Sequence, residues 1–126
     1  MNEGRHLTKL ESIIEAALDR KAEDIVALDV RPLTSFTDTF IITTGSSDRN
    51  VRSIADSIKE AMARLGEKPM GVEGYDDGRW VLIDLDDVIV HIFQDEVRRE
   101  YDLERLWSDA SEIEVAAGSD RTSVQP

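Results

Sequence analysis

Apolar positions along the chain follow two periods, and the switches between them mark out the elements. Leu7, Leu10, Ile13, Ile14, Ala17 and Leu18 recur at helical spacing, so one stripe of a helix faces a core. Thr8-Lys9-Leu10-Glu11 fits a capping box, which predicts that this helix runs from about residue 8 to 21. Residues 24–30 (DIVALDV) read as a short β-branched strand ended by Arg31-Pro32, and residues 39–44 (TFIITT) as a second strand. Gly45-Ser46-Ser47-Asp48 supplies a turn and then an N-cap, at Ser47 or Asp48. The helix beyond it gathers Val51, Ile54, Ala55, Ile58, Ala61, Met62 and Leu65 on one face. Gly66 suits its C′ position, and Pro69 blocks continuation. Residues 70–73 form a brief strand, and residues 74–78 (GYDDG) a loop.

Residues 79–110 read as strand, tight turn, strand and helix. Two runs, WVLIDL from Trp80 and VIVHIF from Val88, are separated only by Asp86 and Asp87, which is a two-residue hairpin signal. With those two residues as the loop, Leu85 pairs with Val88, Ile83 with Val90 and Val81 with Ile92, an aliphatic face that belongs under helices. The other face receives Asp84 with Ile89, Leu82 with His91, and Trp80 with Phe93. Asp95 is placed to cap a last helix carrying Val97, Tyr101, Leu106 and Trp107, with a break near Asp102. From Ser108 large apolar residues nearly vanish. A single folded domain over residues 1–108 is expected, followed by an acidic, disordered tail over 109–126. The succession of elements predicts an α/β (α+β) fold, a mixed sheet of about five strands with helices packed on it.

Composition narrows the function. A chain of 126 residues with 40% hydrophobic positions suits one domain, and the absence of cysteine rules out disulfides and thiolate metal sites. No apolar leader opens the chain and no run approaches ~18 apolar residues, so a cytoplasmic protein with no membrane association is expected. The net charge of −12 opposes ordinary nucleic-acid binding, leaving at most peripheral contact with RNA. It favours a basic partner, or simply solubility.

Gly45-Ser46-Ser47 sits between strand and helix, where backbone donors can bind phosphate; it lacks the rest of a P-loop, and turn plus N-cap is the favoured reading. Asp84, Asp86 and Asp87 could share a magnesium ion. Together these features suggest a divergent nucleotidyltransferase-like enzyme binding magnesium and nucleotide, although the intervening strand and loop oppose it and Asp86-Asp87 suit a turn. His91 lies on the mixed face without a nucleophile beside it, and His6 falls in a terminus expected to fray. Trp80, Tyr101 and Trp107 suit core or interface; interspersed with Glu73, Asp84, Glu100 and Glu104, they fit aromatic anchors rimmed by carboxylates. Arg98, Arg99 and Arg105 share the last helix and are expected to pair with its acids or to face RNA.

Four stretches carry a resemblance: DIVALDV, TDTFIITTGSSDRNVRSIAD, GVEG and WVLIDLDDVIVHIFQDEVRREYDLERLW. Through them the chain resembles the ribosomal silencing factor (Iojap) family from about Leu7 to Ala110, departing at Asp86, where the family often has Gly. The resemblance implies a fold similar to nucleotidyltransferases without their catalytic set, no enzymatic activity, no cofactor and no metal. It implies binding to protein number fourteen of the large ribosomal subunit, which blocks joining of the small subunit and represses translation when nutrients are scarce. It also implies homodimers in the free state. Trp80 matches the family's tryptophan at the start of the hairpin, and Tyr101, Leu103, Glu104, Leu106 and Trp107 its closing motif. The partner-binding residues expected are therefore Glu73, Trp80, Asp84, His91, Tyr101, Glu104 and Trp107.

Overall fold

A computed structural model describes residues 2–115. In chain order the elements are α1 (Asn2–Asp19), β1 (Glu23–Asp29), β2 (Thr39–Gly45), α2 (Asp48–Arg64), β3 (Gly71–Glu73), β4 (Trp80–Asp84), β5 (Val88–Gln94), α3 (Asp95–Tyr101), α4 (Leu103–Leu106) and β6 (Ser111–Glu112). The strands form one mixed sheet of six, ordered β3-β4-β5-β2-β1-β6. β2 and β5 run parallel, and every other pair is antiparallel. The central strand β2 is buried along its whole length, as an apolar run without alternation predicts.

The hairpin holds the predicted register, with Trp80 opposite Phe93, Val81 opposite Ile92, Leu82 opposite His91, Ile83 opposite Val90 and Asp84 opposite Ile89. Its turn closes by Leu85 N–H donating to Val88 O at 2.8 Å and Asp87 N–H to Leu85 O at 3.0 Å. Asp86, at φ +75°, is the residue that bends. The aliphatic side, Val81, Ile83, Val88, Val90 and Ile92, joins one core cluster with Leu10, Ile13, Ile54 and Ile58 of α1 and α2. Ser57 Oγ ties the two helices by donating to Ala16 O. Ser47 is the N-cap of α2, accepting from Asn50 N–H. At the other end Gly66 N–H reaches Ala63 O and Glu67 N–H reaches Met62 O, with Gly66 at φ +76°, the paired bonds of a Schellman motif.

Four expectations change. α1 starts at Asn2, and Thr8 Oγ1 donates back to Gly4 O instead of capping. The early turns are held because His6 bonds Asp87 and Thr39, each at 3.0 Å, so this histidine does not lie in a frayed end. The N-cap of α3 is Gln94 and not Asp95, which lies in the first turn. The sheet has a sixth strand, because Ser111 and Glu112 pair with Asp29 and Leu28 and Ile113 N–H donates to Ala27 O. This strand lies within the expected tail, whose residues 116–126 fall outside the described ones. The predicted break is present: Asp102 sits at φ +49° between α3 and α4.

Candidate interaction surface

Strand alternation and register lay the sheet's second face out in rows. Leu28, Phe40, Ile89 and Asp84 form one, and Val26, Ile42, His91, Leu82 and Glu73 the next. Thr44, Phe93 and Trp80 form a third. Val97, Leu103 and Trp107 of the α3–α4 segment cover the β1–β2 side, packing with Leu28, Val30, Phe40, Ile42 and Phe93. Towards β3 the face is less covered: Trp80, Leu82, Asp84 and Ile89 are half-buried, and Glu73 is exposed.

Trp80 is the hub of this region. Its ring lies 4.8 Å from Phe93 and 4.8 Å from Tyr101, and its indole N–H donates to His91 Nδ1 at 3.2 Å. Gly74, at φ +79°, permits this geometry, because a Cβ there would run into the Trp80 carbonyl oxygen. His91 is 5% exposed, and burial pushes its pKa down to about 4, so it is neutral at pH 7. The two tryptophans pack against one apolar cluster. They are linked through His91, edge-on to Phe40 at 5.1 Å, and Phe40, edge-on to Trp107 at 5.0 Å.

Glu104 is engaged within the fold. Its two oxygens take Arg98 Nε at 3.2 Å and Nη2 at 2.7 Å. Arg98 is buried and also donates through Nη1 to Asp24 O and Thr44 Oγ1, each at 2.8 Å. The Asp24 carbonyl is available because β1 bulges between Glu23 and Val26, with Asp24 at φ +50°. Arg98 therefore fastens α4, and with it Trp107, to the sheet. Of the other arginines, Arg99 pairs with Asp95 at 3.0 Å in the expected i, i+4 fashion.

Sequence reasoning placed Leu82 and Ile89 on this face without naming them as contacts, and it missed Phe36. Leu82 and Ile89 lie on it by the same alternation that placed Trp80. Phe36 is 60% exposed and lies 6.4 Å from Trp107, and Leu106 of α4 is 73% exposed. Phe36 lies in a connection without periodicity, so no pattern marks it.

The parts of the enzyme alternative are not brought together. Gly45 pairs with Gln94 at one end of β5, whereas Asp84 pairs with Ile89 near the other, roughly 17 Å away at a strand's rise. Ser46 N–H is taken by Asn50 Oδ1 and Asn50 N–H by Ser47 Oγ; a Cβ on Gly45 would press on Val51. Asp84 Oδ1 accepts Asp86 N–H, and Asp87 serves Lys9 and His6. Among the described residues no group of three or more His, Cys, Asp or Glu side chains could hold a metal ion, and no helix is long and apolar enough to cross a membrane.

Comparison with known proteins agrees with the resemblance. The family described as "Ribosomal silencing factor during starvation" matches residues 4–126. The ribosomal silencing factor of Halalkalibacterium halodurans is 41% identical over 106 residues, covering 84% of this chain and 91% of that protein. The one from Bacillus subtilis is 46% identical over 92 residues, covering 73% and 78% respectively. A crystal structure of a Chromobacterium violaceum protein superposes with a TM-score of 0.78 at 38% identity, covering 91% of this chain and 93% of that one.

Proposed function

The chain belongs to the ribosomal silencing factor family, and from that premise we propose that the Trp80 face docks on protein number fourteen of the large ribosomal subunit. The bound domain then stands in the path of the small subunit and represses translation under nutrient limitation. The observation that carries this is the half-covered band of Trp80, Leu82, Ile89 and Tyr101, rimmed by Glu73 and Asp84, on a chain of net charge −12. Aromatic and aliphatic anchors with an acidic border suit a basic protein surface. Exclusion needs only affinity and bulk, so no reaction, metal or cofactor enters. The site of action is the cytoplasm, where the subunits join.

In the free state the same apolar band is available to a second copy, which supports the homodimer that the resemblance implies. Co-sedimentation with separated ribosomal subunits tests the main proposal. Trp80→Ala is expected to weaken binding to large subunits more than about tenfold, the worth of a typical anchor, while far-UV circular dichroism stays unchanged. Parent-like pelleting of that variant would remove Trp80 from the interface. Binding is also expected to weaken as salt rises, through the rim charges.

A further inference from the structure

We propose that His91 is a positioning residue for Trp80, a buried acceptor that holds the indole in the orientation in which it docks. This rests on the Trp80 face being the docking surface. An indole N–H can only donate, so the 3.2 Å bond from Trp80 Nε1 requires His91 Nδ1 to be unprotonated. The one proton of the neutral ring then sits on Nε2. Burial keeps the ring in this neutral form at pH 7. The imidazole is itself buried among rings: it stands edge-on to Phe40 at 5.1 Å and parallel to Phe93 at 6.1 Å, with an interplanar angle of 11°.

The arrangement carries a cost to the fold. Nε2 is shielded from solvent, and no described residue accepts its hydrogen bond. A buried unpaired donor is destabilising, whereas a phenyl ring of similar shape would avoid the loss. Trp80 is only half-buried, so water could satisfy its N–H without any histidine. What the bond adds is a fixed direction for the indole. Holding a flexible anchor in its bound geometry before the partner arrives reduces the ordering cost of association.

The test compares the full chain with His91→Phe, His91→Asn and Trp80→Ala. His91→Phe is expected to melt at the parent temperature or above it. Its Trp80 indole proton should exchange with solvent faster by NMR, and its affinity for large subunits should fall about fivefold through lost preorganisation. His91→Asn, whose Oδ1 takes the place of Nδ1, should restore slow indole exchange and most of the affinity. Parent-like binding by His91→Phe beside a defective Trp80→Ala overturns the role of His91 alone. Unchanged indole exchange, or a large fall in melting temperature in His91→Phe, overturns it as well. Parent-like binding by both Trp80→Ala and His91→Phe instead rejects the docking face.

Discussion

Lys9 and Asp87 lie 78 positions apart in sequence, yet the Lys9 ammonium is 2.6 Å from Asp87 Oδ1. Its other bonds go to Leu85 O and Glu67 Oε1, each at 3.0 Å, so three acceptors meet three N–H groups. Burial alone would lower the Lys9 pKa, but the hydrogen bonds it donates to Asp87 and Glu67 outweigh this and the value is raised. Burial would likewise raise Asp87, and its bonds to Lys9 and His6 instead bring it below the usual carboxylate value. The cluster fastens α1 to the hairpin turn.

This asymmetry predicts unequal mutants. Asp87→Ala leaves a buried ammonium with one partner fewer and should cost about 2–3 kcal/mol. Lys9→Met leaves carboxylates that still reach solvent, and should cost less. Urea denaturation at pH 7 measures both. A larger loss in Lys9→Met would contradict this account of the cluster.

Asp86 bends the hairpin at φ +75°, a conformation in which glycine carries no Cβ penalty. Asp86→Gly should therefore raise stability by about 0.5 kcal/mol, and a β-branched Asp86→Val should lower it by more than about 1 kcal/mol. Melting temperatures of the two variants, moving in opposite directions from the parent, are the expected result.

Arg98→Ala removes the strut between β1, β2 and α4 and should destabilise the domain by about 3 kcal/mol or more. Glu104→Gln keeps the size of the group and loses only its charge, so its cost should be smaller. It should still loosen α4, seen as a weaker near-ultraviolet dichroism signal from Trp107. A Glu104→Gln variant indistinguishable from the parent would mean that Arg98 holds through the sheet alone.

The buried neutral His91 makes stability depend on pH. Its folded pKa of about 4 lies below the ordinary 6.5, so between these values the unfolded chain binds a proton that the folded chain refuses. Stability should fall as pH drops through that window and level off below it, by about 3 kcal/mol in total. Asp87 acts in a lower window: its contribution is present above 3.8 and is lost as pH falls through its depressed folded value. Chemical denaturation of the parent and His91→Phe from pH 7.5 to 4.5 separates the two, because the variant should lose the slope above pH 4.5.

The hairpin was readable to the rung, since a two-residue turn between alternating strands sets register from neighbours along the chain. The helical faces of α1 and α2 were readable by the same local logic. Alternation also put Trp80, Leu82 and His91 on one face, but it could not say that His91 is buried beneath the indole while Trp80 stays half-open. The break at Asp102 came from one residue off a stripe. What that break allows, Glu104 folding back onto Arg98, did not.

The chain's own order of residues determined its elements, the division of the hairpin into aliphatic and aromatic faces, and the family to which it belongs. These are properties of neighbours within a few positions, where backbone geometry makes spacing equivalent to direction. Tertiary structure alone decided that β2 runs parallel beside β5 and that β6 closes the edge of β1. It also decided that Lys9, His6 and Asp87 form one clamp, and that Glu104 folds back onto Arg98. Each of these joins groups far apart in sequence, whose meeting depends on how whole elements pack. Polar side chains carry no periodic trace of such a partner.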